Sequence, residues 1–240
     1  MKVLLIAGHG NGDPGAVKLG YREADLTREL TGLIKAHLSA YCQVDIANTA
    51  LNWYRHVCVN GNKFNFKPYD YVLEIHFNAS VNDTIGNGQT TGSEIYVTQN
   101  EKNVSVEQKI LSGMYTLGFK NRGVKRKNYS LISYVKKQGV SAALLEVCFI
   151  DDKDDIFLYQ SKKSEIARAI AEGIAEGYKL KKETKTMDYE KHWASNYIKK
   201  VMSVGIMNGY SDKSFKPDKP ITRAEMATVI CRLLDYQKEK

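Results

Sequence analysis

The sequence predicts an α/β protein with an open, largely parallel sheet flanked by helices on both faces, followed by a small all-α helix-loop-helix module. Three observations carry this. Short, nearly continuous apolar runs occur at Val3–Ala7 (VLLIA), Tyr71–Ile75 (YVLEI) and Ala142–Ile150 (AALLEVCFI), as in strands covered on both faces. Longer helical patterns separate them, which implies crossovers and parallel pairing. Beyond a charged stretch near residues 179–185 (KLKKETK), only helical periodicity follows.

The first run leads directly to His9. In open α/β sheets the ligand site lies beyond the carboxyl ends of the strands, so His9 belongs on that rim. The loop that follows, GHGNGDPGA, matches the G-x-G-x-x-G spacing of dinucleotide-binding turns through Gly10, Gly12 and Gly15. Pro14 interrupts that motif and the helical pattern begins only near Glu23, so the glycines are read as letting the backbone bend beside His9. The first helix carries the stripe Leu26, Leu30, Leu33, Ile34 and Leu38. At about 100° per residue Glu23 falls on the stripe side, whereas Asp25 points away from it. The second run ends beside His76 and the third carries Glu146, an acidic residue that costs several kcal/mol to bury charged unless it is paired or at an exposed strand end. A helix with Ile166, Ala169, Ile170 and Ile174 closes the first domain. The boundaries read from the sequence are 1–180 for the α/β domain, 181–187 for a linker and 188–240 for the helical module. In that module Trp193, Tyr197, Ile198, Val201 and Met202 form one helical stripe ending near Gly205. Asn208-Gly209 marks a turn. Thr222 and Glu225 form a capping box after Pro220, ahead of a second stripe of Met226, Val229, Ile230, Leu233 and Leu234.

His9, Glu23, His76 and Glu146 together read as a catalytic zinc site. His9, Glu23 and His76 supply a His, Glu, His ligand set, which leaves the fourth tetrahedral position for water. The ligands are scattered, unlike a compact H-E-x-x-H helix, and each residue taken alone also fits a structural role, as a hydrogen-bonded histidine or a carboxylate at a helix start. The four cysteines show no C-x-x-C spacing and read as reduced and structural. A Cys148 thiolate would close the open coordination position and is not expected as a ligand. His37 and His56 read as structural.

The motifs GHGNGDPGA, GYREADLTREL, LEIHFNAS, GSEIYV, RGVK and LLEVCFIDDKDD, in this order, resemble the zinc-dependent type 3 N-acetylmuramoyl-L-alanine amidases of bacterial autolysins and phage endolysins, over roughly residues 1–178. The resemblance implies zinc ligands at His9, Glu23 and His76 and a catalytic glutamate at Glu146. It also implies hydrolysis of the amide joining N-acetylmuramic acid to the L-alanine of the peptidoglycan stem peptide. Asn78, Ser80 and Arg122 fall where such enzymes line the substrate groove. Glu94 matches a recurrent position of the family whose role one sequence does not reveal. The alternatives are a zinc peptidase acting within the stem peptide and a non-catalytic wall-binding protein.

Residues 187–234, including ITRAE at 221–225, resemble a single S-layer homology module, which implies binding of a secondary cell-wall polymer with Arg223 as the candidate contact. Such modules commonly pack as three tandem copies. One copy of about 55 residues is too small to support itself comfortably, so self-association as a homo-oligomer is expected, with packing on the catalytic domain as the alternative. A net charge of +8 suits an anionic partner. Dispersed lysines and the absence of a nucleic-acid module argue for wall polymers over nucleic acid. With no transmembrane span, no membrane partner is expected. Met1–Ala7 is too short for a signal-peptide apolar region and runs into the proposed ligand His9. The expected route is that of an endolysin, from the host cytoplasm to the cell wall through a pore made by another protein. A secreted wall enzyme is the alternative.

Overall fold

Alternate residues of the apolar runs point to opposite sides, and both sides are covered. A computed structural model describes residues 1–182 and 187–238. Its first unit is Met1–Glu183 and its second Thr184–Lys240. The first is built on a six-stranded sheet of order β4-β1-β5-β8-β6-β7. The strands are β1 (Lys2–Ala7), β4 (Gln43–Ile46), β5 (Tyr71–Asn78), β6 (Ser93–Val97), β7 (Asn121–Arg126) and β8 (Ser141–Phe149). A two-stranded hairpin, β2 (Val17–Lys18) with β3 (Tyr21–Arg22), stands apart from it. β4, β1, β5 and β8 pair in parallel, β6 joins β8 antiparallel, and β7 joins β6 in parallel. The sheet is thus largely parallel, as expected, with one antiparallel junction that the apolar runs did not reveal.

Val3, Leu5, Leu73, Ile75, Leu145 and Val147 face a core closed by α1 (Glu23–Leu38), α2 (Ser105–Thr116) and α5 (Lys163–Gly177). Leu26, Leu30, Ile34 and Leu38 of α1 are all buried there, so the stripe read from the sequence is the packing face. On the opposite side Leu4, Ile6, Val72, Ala142 and Leu144 meet Trp53, Phe66 and α3 (Ser130–Lys137). A π-helical segment, Tyr54–Val59, flanks that second core. After β8 the chain enters α4 (Lys153–Ser161), whose N-cap Asp152 accepts from the amides of Asp154 and Asp155.

One boundary differs from the sequence reading: β5 runs three residues past Ile75, to Asn78. Glu146 lies inside β8, within the run read as a strand. His76 and Glu146 are therefore strand residues facing each other in parallel register, which fixes both backbones by ladder hydrogen bonds.

Within the second unit, α6 (Ser195–Ser203) and α7 (Arg223–Lys238) form the helices. The expected first stripe is corrected: Trp193 precedes the helix and is 84% exposed, Tyr197 is 70% exposed, and of α6 only Ile198 is buried. Among the described residues of this unit, those buried are Tyr189, Ile198 and Ile206, too few to draw in a whole stripe. α7 has no buried residue. Its start is fixed by the capping box, with the Thr222 amide donating to Glu225 Oε2 at 2.8 Å and the Glu225 amide to Thr222 Oγ1 at 3.2 Å. Residues 183–186 of the predicted linker lie outside the described residues.

Leu30 is fully buried between α1 and the sheet. Leu30→Ala is expected to lower the unfolding free energy of the catalytic unit by about 2–5 kcal/mol, read from the urea midpoint at unchanged slope.

Candidate metal centre

Gly8 continues the pairing of β1, its amide donating to the Ile75 carbonyl at 2.9 Å, and His9 then leaves the sheet with φ 62°. That left-handed conformation is unusual for a side chain bearing a Cβ and turns the imidazole back over the strand ends. The Gly10 and Asp13 backbones hydrogen-bond each other reciprocally across a tight turn. Thr27 Oγ1 at 3.0 Å and Arg28 at 3.2 Å both donate to the Gly8 carbonyl, and Arg28 also reaches the His9 carbonyl at 3.1 Å.

Glu23 is the first residue of α1, where the helix dipole favours a carboxylate, and it is 4% exposed. Its Oε2 lies 3.1 Å from His9 Nε2 and its Oε1 3.0 Å from His76 Nδ1. The amides of Ala16 and Phe77 each donate to the same carboxylate at 3.0 Å. Space here is tight: a Cβ on Gly15, whose φ is +66°, would meet Glu23 Oε2 at 2.6 Å and His9 Cδ2 at 2.7 Å, and one on Gly8 would fall on the His76 ring. Gly8 and Gly15 thus serve close approach of side chains, Gly10, Gly12 and Gly15 adopt the positive φ of a tightly bent loop, and no helix N-terminus follows them directly as a pyrophosphate site would require.

Ligand atoms of His9, Glu23 and His76 all lie within 4.8 Å of one another. Two imidazole nitrogens and a carboxylate oxygen so placed form a donor set that fits zinc. Burial pushes the Glu23 carboxyl up, yet its hydrogen bonds to His76 and His9 outweigh this and hold it well below the usual carboxylate range.

Glu146 opposes His76 in register on β8, and Glu94 of β6 opposes Glu146 on its other side. Oε2 of Glu146 is buried with no hydrogen-bond partner. Burial, the largest influence, pushes this carboxyl up to about 7, with His76 opposing and the neighbouring carboxylates adding to the rise. Glu94 differs sharply. It accepts from Arg122 Nε at 2.6 Å, Lys125 Nζ at 2.5 Å, Tyr96 Oη at 2.7 Å and Asn78 Nδ2 at 3.1 Å. Burial raises its pKa, but the Lys125 and Arg122 contacts prevail and hold it below the ordinary value.

A cavity of about 440 Å³ opens over these groups, lined among others by His9, Glu23, Glu74, His76, Glu146 and Tyr54. Asn78 lines it as well. Ser80 is exposed outside the lining, its amide donating to Asp151 Oδ1 at 3.2 Å. Arg122 is also outside it, its guanidinium bound to Glu94 and lying 4.8 Å over the Phe149 ring. Arg223 is exposed at the start of α7. Cys148 is buried and its thiol is pushed up by desolvation, which leaves it a neutral core group. The sequence reading did not single out Asp13, Asn52 or Glu74, all of which line the cavity. Glu74 carried the signal that marked Glu146, an acidic residue inside an apolar run.

Residues 3–176 match the family described as N-acetylmuramoyl-L-alanine amidase, and residues 188–227 match the S-layer homology domain. The endolysin of Bacillus phage SPP1 is 28% identical over 187 residues, 76% of this chain and 68% of that protein. Outer membrane protein alpha of Thermotoga maritima is 49% identical over 49 residues, of which the chain spans only 12% of the whole protein. The structure of the amidase AmiC2 of Nostoc punctiforme superposes with TM-score 0.58 at 23% identity, covering 75% of this chain and 97% of that one, a likeness of fold.

Arg122→Ala deprives buried Glu94 of a charge-assisted hydrogen bond and is expected to cost about 1.5–3 kcal/mol of stability. In a Glu94→Leu background the same substitution should cost much less, a coupling that thermal unfolding of the four proteins in the cycle would measure.

Proposed function

The chain belongs to the N-acetylmuramoyl-L-alanine amidase family, and from that premise we propose that His9, Glu23 and His76 hold a zinc ion and that Glu146 is the catalytic acid and base of a peptidoglycan amidase. The observation that carries this reading is the convergence of the three donor groups within 4.8 Å beside Glu146, the register neighbour of His76. Zinc, when bound, lowers the pKa of water from about 16 towards 7 and polarises a carbonyl oxygen.

The chain's own residues do the rest. Glu146 Oε2, buried and without a partner, takes the proton of the attacking water as the new C–O bond forms at the lactyl carbonyl. It then delivers that proton to the alanine nitrogen as the C–N bond breaks, so that a lactyl carboxylic acid and a free amine form, the acid passing its proton to the amine or to solvent as they leave. A carboxyl near 7 suits both steps, since its ionised and neutral forms lie close in free energy. Asn78 is the proposed substrate contact in the cavity wall, with Ser80 and Arg122 as contacts for a longer substrate.

The S-layer homology domain carries the proposed attachment to the wall, with Arg223 contacting an anionic secondary polymer that the net charge of +8 favours. Ile230, Leu233 and Leu234 of α7 are 49%, 40% and 51% exposed, which supports self-association through this module. Light scattering across a concentration series should then show species larger than a monomer. The SPP1 relative favours the endolysin route from host cytoplasm to wall, with secretion as the alternative. No helix among the described residues is long and apolar enough to cross a membrane.

Purified peptidoglycan digested by the protein should yield free N-terminal L-alanine by mass spectrometry. Cleavage inside the stem peptide would replace the amidase by a peptidase, and no new amine at all would leave a wall-binding protein. Glu146→Ala should keep its metal and lose activity by a factor of about 100 to 10,000, while His9→Ala and His76→Ala should lose both, as turbidity and metal assays would show.

A further inference from the structure

Each imidazole of the centre offers only one nitrogen to Glu23, and the structure accounts for the other. His9 turns Nε2 towards Glu23 and places Nδ1 3.0 Å from Asp13 Oδ2. His76 turns Nδ1 towards Glu23 and places Nε2 3.1 Å from Glu74 Oε1. The two rings therefore use opposite nitrogens, and each opposite nitrogen meets its own carboxylate. A ring N–H donated to a carboxylate fixes the tautomer and directs the lone pair of the remaining nitrogen.

We propose that Asp13 and Glu74 are positioning residues that hold His9 and His76 in complementary tautomers and thereby set the affinity of the centre for its metal ion, an inference that rests on the metal-binding reading above. Asp13 Oδ2 also accepts from Asn52 Nδ2 at 2.8 Å and its Oδ1 from the Gly15 amide at 3.0 Å. Asn52 is 4% exposed and is itself fixed by the Arg55 amide at 2.9 Å. The chain from the π-helical segment through Asn52 and Asp13 thus ends on a ligand ring. Glu74 is 5% exposed, and its neighbours in register are Ile6 and Leu144. A carboxylate in an apolar row gains nothing from that packing, and its desolvation opposes folding unless a partner offsets it. The partner is the His76 ring.

The two roles a buried carboxylate can have at this position predict opposite results. Glu74→Leu fills the row between Ile6 and Leu144 with a residue of their kind. As a positioning residue, Glu74 replaced by Leu should leave the metal-free full-length chain with an unchanged or higher melting temperature, yet weaken Zn2+ binding about 10- to 100-fold in competition with a fluorescent chelator. Glu74→Gln keeps an acceptor oxygen for the ring N–H and should recover part of the lost affinity. Asp13→Ala should weaken Zn2+ by a similar factor. Unchanged Zn2+ affinity in Glu74→Leu and Asp13→Ala would overturn the inference, as would a Glu74→Leu chain that unfolds or melts well below the parent. A parent chain that fails to bind Zn2+ would instead remove the metal-binding reading itself.

Discussion

One carboxylate joins the parts of this site. Glu23 Oε2 faces His9 and the Ala16 amide, while Oε1 faces His76 and the Phe77 amide. A loop, a helix start and a strand end are thereby tied at a single side chain that water barely reaches. Left alone, a carboxylate so buried would take up a proton. It stays ionised because two imidazoles, two backbone amides and the N-terminus of α1 all present positive charge or N–H groups to it. Any change that moves α1 along its axis, or adds a Cβ at Gly8 or Gly15, acts first on this contact.

Much of that arrangement is legible before any coordinates. His9 and His76 are found because apolar runs deliver them to the same edge of a parallel sheet, and Glu23 because helical phase separates it from Asp25. Less legible is anything that depends on pairing between segments of little periodicity. β4 is four residues long and β7 is partly exposed, so neither reads as a continuous apolar run. β6 has Glu94 buried at its second position, and the Arg122, Lys125, Tyr96 and Asn78 contacts, from side chains on three strands, make that burial tolerable. Asp13 and Asn52 lie 39 positions apart, a contact no local pattern can announce.

The carboxyl-terminal unit shows the same limit in reverse. Its stripes have helical spacing and its capping box forms, yet spacing does not bury a side chain without something to pack upon. Among the described residues Tyr189, Ile198 and Ile206 are the buried ones, and α7 keeps Met226, Ile230 and Leu234 at 44%, 49% and 51% exposure. Helices of this length draw most of their stability from packing of an apolar face, and little of that face is covered within this unit.

Glu94 and Glu146 stand side by side on antiparallel strands, the same residue type at neighbouring positions, and differ only in company. Glu94 accepts four hydrogen bonds, two from cations, and is fixed as an anion. That fixed charge then acts on Glu146, which has an oxygen with no partner and sits next to His76 on its other side. Like charges at this separation disfavour a second anion, and desolvation acts in the same direction. The proposed proton carrier is therefore defined by a refusal: the strand that could have offered it a donor offers a carboxylate already satisfied. Arg122, which the resemblance placed at the substrate groove, and Lys125, which the sequence did not single out, hold Glu94 ionised, and the Glu94 charge adds to the burial that raises Glu146.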